Sequence, residues 1–406
     1  MSALAYGAII LGGGLAGAAL AAALAPRVNL LILEREAHLG YHASGRSTGM
    51  FIPSYGGPII AALAEASRSY FETPHGSARP LLTRRDVLHV SRRERAAPSA
   101  GAVRMSSARI HALSPILKTR GLKSAWLEPG TGELDAVGIH QQLIATAVRH
   151  GAVLRLGVSP QNLGHDGEAW RLRVAGEEFR CSALVNATGA WADETAAALG
   201  LTPLGLAAYR RTVVLVAPPE PRPRVLAGPI IKDMEDRFYL RPFGQDLLVS
   251  PCDETLSVPT DAQPEPRDVA MAIARLKQAT GYEPMQIKHR WAGLRSFAPD
   301  RLPVIGWDLR APNLFWFAGL GGFGVQIAPA AGRLAAGLFL GTETPAASGV
   351  RGPNPQQFSP MRLAGRKLRA AKLYGLSQTG RTNNRRTAPN DRLAFRPVAQ
   401  GRRQPA

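Results

Sequence analysis

A glycine-rich turn near the start of the chain has the residue types that a dinucleotide needs. The motif GGGLAG at residues 12–17 follows the apolar run Tyr6–Leu11 and precedes an alanine-rich segment. In this pattern Gly12 permits a tight turn, Gly14 lets backbone amides approach a pyrophosphate, and Gly17 lets a helix pack closely on a strand. The sequence therefore predicts a strand, a phosphate-binding turn and a helix in immediate succession.

The segments around this turn complete a βαβ unit. Ala18–Ala25 has the composition of a helix, and Val28–Leu33 reads as a second buried strand. Glu34 ends that strand 22 positions after Gly12, where a carboxylate can accept hydrogen bonds from a ribose. The spacing therefore predicts a nucleotide site at the carboxyl end of a parallel sheet.

Two later segments are expected at the same crevice. A second glycine motif, residues 319–324, follows the strand-like run Leu314–Ala318 and precedes a helical pattern over Ile327–Leu340. No second strand with a terminal acid follows, so the free amides of this helix should face another part of the same cofactor. Ala183–Gly189 reads as a further strand that ends in small residues near the crevice.

The middle of the chain has a different pattern, which is typical of an antiparallel sheet. Short alternating runs such as Tyr209–Ala217, Arg237–Arg241 and Asp246–Ser250 are separated by turn residues, and Glu265–Thr280 has helical spacing. We therefore expect a second domain inserted into the first. The predicted ranges are 1–75, 138–205 and 290–345 for the nucleotide domain, 76–137 and 206–289 for the substrate domain, and 361–406 for a basic, disordered tail.

Composition and charge limit the partners. The 406 residues include 49 Lys and Arg against 30 Asp and Glu, but residues 361–406 hold 12 basic residues and one acid. The rest is only mildly basic, so no nucleic-acid partner is expected, while the tail is expected to contact a membrane surface weakly. We expect a cytoplasmic protein, peripheral at most to the inner face of the membrane. Cys181 and Cys252 are too few and too far apart for a disulfide framework, and no metal site is predicted.

Several motifs together resemble the FAD-dependent D-amino-acid oxidoreductase superfamily, which includes glycine oxidase, sarcosine oxidase and D-amino-acid dehydrogenases. Within it the chain is most similar to bacterial catabolic D-arginine dehydrogenases, because GYHxxGR, PLL, LVNAxGAW, RRT, FYL, WAGLRSF and GGxGxQ recur in the same order. The resemblance covers residues 1 to about 362. It implies an α/β fold: a Rossmann-like FAD-binding domain with an inserted α+β substrate domain built on an antiparallel sheet.

The resemblance implies FAD as the cofactor. Neither cysteine lies in the stretch that carries covalent attachment in other members, so the binding should be noncovalent. The implied cofactor-binding residues are Gly12, Gly14, Ala16, Gly17, Glu34, Arg35, Ser44, Arg46, Ser47, Thr48, Val158, Gly189, Gly321, Gly322, Phe323, Gly324, Val325 and Gln326.

The resemblance also implies a substrate site for an amino acid. Arg295 and Arg211 match carboxylate-binding arginines, a role that suits a planar bidentate group. Tyr55 and Tyr239 match pocket aromatics, and the Gly322 carbonyl would face the amino group. A hydride would pass from the substrate Cα to the flavin, and the imino acid would hydrolyse to a 2-oxo acid. Strand alternation predicts that Arg210, beside Arg211, faces away from this site.

Three positions depart from the arginine-specific relatives. In those relatives a carboxylate meets the substrate guanidinium, and the matching residue here is Val87. Two further positions that are polar in those relatives are Met50 and Ile52 here. Asp86 is one residue away and, in a strand, would face the opposite side. Because a buried guanidinium without a partner is costly, we expect a D-amino-acid dehydrogenase that prefers apolar over basic side chains.

Two other activities fit the same residues. One is an amine or glycine-type oxidase that produces hydrogen peroxide, and the other is a 2-hydroxy-acid dehydrogenase, which a carboxylate clamp also permits. The electron acceptor is open, and a quinone or an electron-transfer protein would serve.

Overall fold

The computed structural model describes residues 4–73, 80–342 and 353–364. Its strands, in chain order, are β1 (Leu4–Leu11), β2 (Leu30–Leu33), β3 (Met50–Phe51), β4 (Leu82–Arg84), β5 (Val87–Ser91), β6 (Val103–Arg104), β7 (Ser124–Glu128), β8 (Gly132–Leu134), β9 (Val153–Arg155), β10 (Gln161–His165), β11 (Trp170–Val174), β12 (Glu177–Asn186), β13 (Ala207–Val216), β14 (Ile230–Asp233), β15 (Tyr239–Phe243), β16 (Asp246–Ser250), β17 (Thr255–Ser257), β18 (Ile287–Phe297), β19 (Val304–Trp307) and β20 (Leu314–Ala318). Its α-helices are α1 (Leu15–Leu24), α2 (Pro58–Glu72), α3 (Ser107–Leu113), α4 (Ala136–Arg149), α5 (Ala192–Ala198), α6 (Arg222–Ala227), α7 (Pro266–Thr280) and α8 (Gly324–Leu340).

The first sheet has a parallel core in the order β20, β12, β1, β2, β9. Leu11 at the end of β1 pairs with Asn186 on one side and Leu33 on the other, and Asn186 pairs with Trp316. The carboxyl ends of four strands therefore meet at one edge, and both glycine motifs begin there. The antiparallel strand β19 and the hairpin β10–β11 extend this sheet.

Helices α1, α2, α4 and α8 cover one face of this sheet and share its largest apolar core. The helix α1 is almost wholly buried because its residues are alanine, leucine and glycine, which leave no polar face. It lies close to α8 at Gly332, where a β-carbon would be 2.6 Å from the Ala19 carbonyl oxygen. Small residues thus set the distance between the two helices whose N-termini face the crevice.

The second sheet has the order β17, β13, β16, β15, β14, β5, β7, β6, with β18 also paired to β13. Every pair is antiparallel except β14 with β5. Directly paired residues share a face, so the register puts Arg295, Arg211, Tyr239 and Lys232 on one side. The helix α7 packs on the other side. A small three-stranded sheet, β3-β8-β4, lies beside these layers in the described chain.

The predicted fold class is confirmed, and the element boundaries moved by a few residues. The second glycine motif leads into α8 at Gly324 rather than at Ile327, and β12 ends at Asn186 before the small residues that follow it. Two elements cross predicted domain limits, because β18 spans residue 290 and α4 spans residue 138. The domain limits stay a prediction.

The start of the predicted tail is packed against the first sheet. Leu363 is buried, and Arg362 donates from Nε to Asp300 Oδ2 at 2.8 Å. Residues 365–406 lie outside the described part of the chain, as does the expected membrane contact. Among the described residues, no helix combines the length and the apolar character needed to cross a bilayer.

Substituting Gly332→Ala should destabilise the protein although alanine favours helices. The usual gain is about 1 kcal/mol, but the new β-carbon would overlap the Ala19 carbonyl, and overpacking costs roughly 1–3 kcal/mol. Urea unfolding followed by circular dichroism measures the change in the free energy of unfolding. Gly101→Ala, at a site with nothing within 4 Å, is the control. A Gly332→Ala variant as stable as the parent would contradict the close helix contact.

Candidate functional site

The turn before α1 has the shape of a phosphate cradle. Gly12 has φ +102°, and a β-carbon there would be 2.5 Å from the Ala187 carbonyl oxygen in the loop after β12. A β-carbon on Gly17 would overlap the Gly12 carbonyl. Gly14 precedes the helix in an extended conformation, and Ala16 is buried in its first turn. The three glycines therefore add no side chains of their own around the backbone amides of this N-terminus.

Polar groups border the cradle where a ribose would lie. The Glu34 carboxylate accepts hydrogen bonds from the amides of Gly13 at 2.9 Å and Glu36 at 3.0 Å. Ser44 Oγ accepts from the Leu15 amide at 2.9 Å. The glycine turn and the strand-ending acid, predicted as one unit, are therefore in direct contact.

Other predicted cofactor residues surround this edge. The Arg35 guanidinium lies 3.7 Å from the centre of the Trp191 ring, and the Val158 amide donates to the Glu34 carbonyl at 3.0 Å. Gly189, with φ +60°, lies in the turn after β12.

Arg46 has protein partners for its whole guanidinium. It donates to the carbonyls of Tyr41, Ala262 and Ala292 at 3.0, 2.9 and 3.1 Å, and it forms an ion pair with Asp261. In the structure it joins the loop before β3 to the second sheet.

A pocket opens between the two sheets. Eleven of the predicted residues line it: Ser47, Thr48, Met50, Ile52, Tyr55, Arg211, Tyr239, Arg295, Gly322, Val325 and Gln326. Lys232, Asp236 and Cys252 also line it and were not predicted.

Arg295 lies directly against the backbone of Gly322. A β-carbon on Gly322 would overlap the guanidinium, so glycine is required for this arrangement. Arg295 Nη1 has no hydrogen-bond partner among the described residues, and the nearest acidic oxygen, Glu254 Oε1, is 3.8 Å away. A largely buried cation with an unmet donor beside the pocket is suited to an anionic ligand.

Arg211 is held rigidly next to it. Its Nε donates to the Asp253 carbonyl at 2.8 Å, and its Nη2 donates to Glu254 Oε1 at 3.2 Å. Arg210 points to the opposite face, where it pairs with Glu265 and with Asp268 at 3.0 Å. The prediction that Arg210 faces away from the site that Arg211 lines is confirmed.

The two tyrosines line the pocket from different elements. Tyr239 on β15 donates from its hydroxyl to Thr48 Oγ1 at 3.4 Å, and burial raises its pKa, so the hydroxyl stays protonated. Tyr55 packs edge-on against Phe323, with ring centres 5.2 Å apart. Gln326 fixes the Tyr55 loop by accepting from the Ile52 amide at 2.9 Å.

Val87 lies behind the pocket wall, not in it. It is fully buried against Ile52 and Ile230, and it does not line the pocket. On the neighbouring strand, Lys232, a lysine inside the apolar strand β14, lines the pocket. In the sequence, Lys232 follows two isoleucines and precedes an aspartate. A charged residue in such an apolar run was the feature that could have indicated its place in the pocket. Cys252 also faces the pocket, and burial raises the pKa of its thiol.

Comparison with known proteins agrees with this geometry. Residues 8–338 match the family described as FAD dependent oxidoreductase (DAO). Mouse mitochondrial dimethylglycine dehydrogenase is 26% identical over 256 residues, 58% of this chain and 29% of that protein. The Helicobacter pylori D-amino acid dehydrogenase is 36% identical over 70 residues, 16% of this chain and 17% of that protein. The chain thus spans less than a third of the dimethylglycine dehydrogenase.

A solved structure gives the same fold. Glycine oxidase from Geobacillus kaustophilus superposes with a TM-score of 0.72 at 22% identity, covering 88% of this chain and 99% of that one. At this identity the likeness shows the fold alone. The cofactor is FAD, and the cradle fits it, because the positions where a β-carbon would obstruct a pyrophosphate are glycines.

Substituting Gly322→Ala should displace Arg295 and weaken the binding of carboxylates. Loss of one charge-assisted hydrogen bond corresponds to about 1.5–3 kcal/mol, or roughly 10-fold to 150-fold in the dissociation constant. Titration with butyrate, followed by the flavin absorption spectrum, measures this constant. The control is Gly164→Ala, which has open space around it. Unchanged butyrate affinity in Gly322→Ala would show that the contact does not position Arg295.

Proposed function

On the premise that this chain belongs to the FAD dependent oxidoreductase family, we propose that it oxidatively deaminates a D-amino acid. The observation that carries the proposal is the pair Arg211 and Arg295, which line one pocket with the Gly322 backbone. When bound, FAD supplies a two-electron oxidant. The substrate Cα–H bond breaks as a hydride, the nitrogen loses one proton, and a C=N bond forms. Water then releases ammonia and a 2-oxo acid.

The first task of the protein is to hold the α-carboxylate. Arg295 has an unmet donor on Nη1, and Arg211 is fixed by Asp253 and Glu254, so a carboxylate that reaches both guanidinium groups would gain charge-assisted hydrogen bonds. Such a fixed carboxylate restricts the orientation of the Cα–H bond, and orientation supplies a large part of the rate enhancement.

The second task is to keep the amine neutral and directed. The Gly322 carbonyl is the proposed acceptor for an amine hydrogen. The protonated hydroxyl of Tyr239 can donate to the substrate carboxylate but cannot act as a base at neutral pH. We propose that the substrate nitrogen loses its extra proton to water before the hydride leaves.

The finer assignment, a D-amino-acid dehydrogenase with noncovalent FAD, rests on the motif order and on the Helicobacter pylori match. Met50 and Ile52 support the expected preference against basic side chains, since they give the pocket an apolar wall. Lys232 supports it independently, because a third cation in the same pocket would repel a basic side chain. The likeness to D-arginine dehydrogenases therefore does not extend to arginine as the substrate.

The experiment is anaerobic reduction of the flavin by a panel of D- and L-amino acids. The parent should lose its yellow colour with D-amino acids, and Arg295→Met should lower kcat/KM by about 100-fold or more, because two charge-assisted bonds are removed. Arg290→Met, an exposed arginine on the same strand, is the control. If no D-amino acid bleaches the flavin, or if both variants behave like the parent, the proposal is wrong.

An oxidase for glycine or a secondary amine is the second candidate, and the sequence similarity to a glycine oxidase, 25% identical over 57% of this chain, favours it. Both reactions use the same carboxylate clamp and differ in the fate of the electrons. Under air, a dehydrogenase should produce little hydrogen peroxide per substrate consumed and should need a dye or quinone acceptor. Stoichiometric peroxide, measured with a peroxidase-coupled assay, would support the oxidase. The 2-hydroxy-acid dehydrogenase is tested with D-lactate in the anaerobic flavin-reduction assay.

A further inference from the structure

An ion pair lies in the pocket in addition to the two arginines. Lys232 on β14 has a side chain that is only 9% exposed, and its Nζ is 2.5 Å from Asp236 Oδ1. Asp236 lies in the turn after β14, where its own side chain is 54% exposed. The proposed deamination uses neither residue.

Lys232 is on the same face of the second sheet as the arginines. The order β13, β16, β15, β14 places β14 three strand spacings, or about 14 Å, from the strand that carries Arg211, and Arg211 is two residues along β13 from the position opposite Lys232. The Arg and Lys side chains each extend several ångströms from their strands into the pocket. Because the charged ends line one pocket, a short molecule with an anionic group at each end can contact both.

Building on the proposed function, we propose that Lys232 binds a second carboxylate of the substrate. The substrate class is an amino acid whose side chain ends in a carboxylate, such as glutamate or aspartate. Arg211 and Arg295 hold the α-carboxylate, and Lys232 holds the distal one. Lys232 is thus a residue that determines specificity, and it takes no part in the chemical step.

The wall between the two charged ends suits the methylene groups of such a side chain. Met50 and Ile52 line the pocket with apolar groups, and the Tyr55 ring centre lies 4.7 Å from Lys232 Nζ. The apolar preference expected from the sequence then applies to the methylene groups of the substrate side chain. Its end meets a cation.

The existing partner leaves Lys232 able to bind a ligand. An ammonium group has three hydrogens to donate, and its hydrogen-bond acceptors among the described residues are Asp236 Oδ1 and, at 3.4 Å, the Asp233 carbonyl. Three cations and one carboxylate line the pocket, so its charge favours a ligand with two negative charges. A substrate with two carboxylates and a neutral amine has that charge.

Binding of simple carboxylates to the oxidised holoenzyme tests the proposal without turnover. Glutarate has two carboxylates and butyrate has one, and both perturb a flavin spectrum if they bind beside it. The parent should bind glutarate about 10-fold to 100-fold more tightly than butyrate, the range that one charge-assisted hydrogen bond supplies. In Lys232→Met the two dissociation constants should become similar, chiefly through weaker glutarate binding.

Two further variants separate charge from general damage. Lys232→Arg keeps the charge and should retain most of the preference for glutarate. Lys288→Met removes an exposed lysine of the same sheet and should behave like the parent. In the anaerobic assay, Lys232→Met should lower kcat/KM for D-glutamate by about 10-fold to 100-fold and leave D-leucine within a few-fold.

Equal binding of glutarate and butyrate by the parent would overturn this assignment, as would a glutarate preference that persists in Lys232→Met. Better turnover of D-leucine and D-methionine than of D-glutamate would also overturn it. Failure of the proposed function gives a different result, because butyrate would then bind without dependence on Arg295 and no amino acid would bleach the flavin.

Discussion

The contact between the Arg295 guanidinium and the Gly322 backbone joins the two sheets at the pocket. Arg295 belongs to the second sheet through β18, and Gly322 belongs to the turn between β20 and α8 of the first sheet. Any side chain at residue 322 would separate them. This one close approach places a carboxylate-binding group next to the crevice where the FAD cradle also opens.

Other parts of the fold maintain that arrangement. The ladder of β18 with β13 holds Arg295 beside Arg211, while Asp253 and Glu254 fix the Arg211 guanidinium. Arg46 ties the loop before β3 to the second sheet. On the opposite side, Gln326 at the start of α8 bonds to the Ile52 amide, so the helix that faces the cofactor also supports the pocket wall. The same helix therefore supports both the cofactor site and the substrate site.

Local patterns in the sequence were sufficient for one part of the site and insufficient for another. The βαβ unit with Gly12, Gly17 and Glu34 could be predicted because strand, turn, helix and acid are contiguous in the chain. Lys232 could not, because its position in the pocket depends on pairing across β13, β16, β15 and β14, which short alternating runs do not specify. The resemblance to arginine-specific relatives places Val87 in the pocket wall, whereas Ile52 and Ile230 cover it in three dimensions.

The central claim is that two arginines from adjacent strands hold the substrate carboxylate against the Gly322 turn. A crystal structure of the FAD-loaded protein with bound butyrate tests it most directly. The carboxylate oxygens should lie about 2.7–2.9 Å from guanidinium nitrogens of both Arg295 and Arg211, with the hydrocarbon chain towards Met50 and Ile52. A butyrate carboxylate bound elsewhere in the pocket, with Arg295 making no contact to it, would contradict the account.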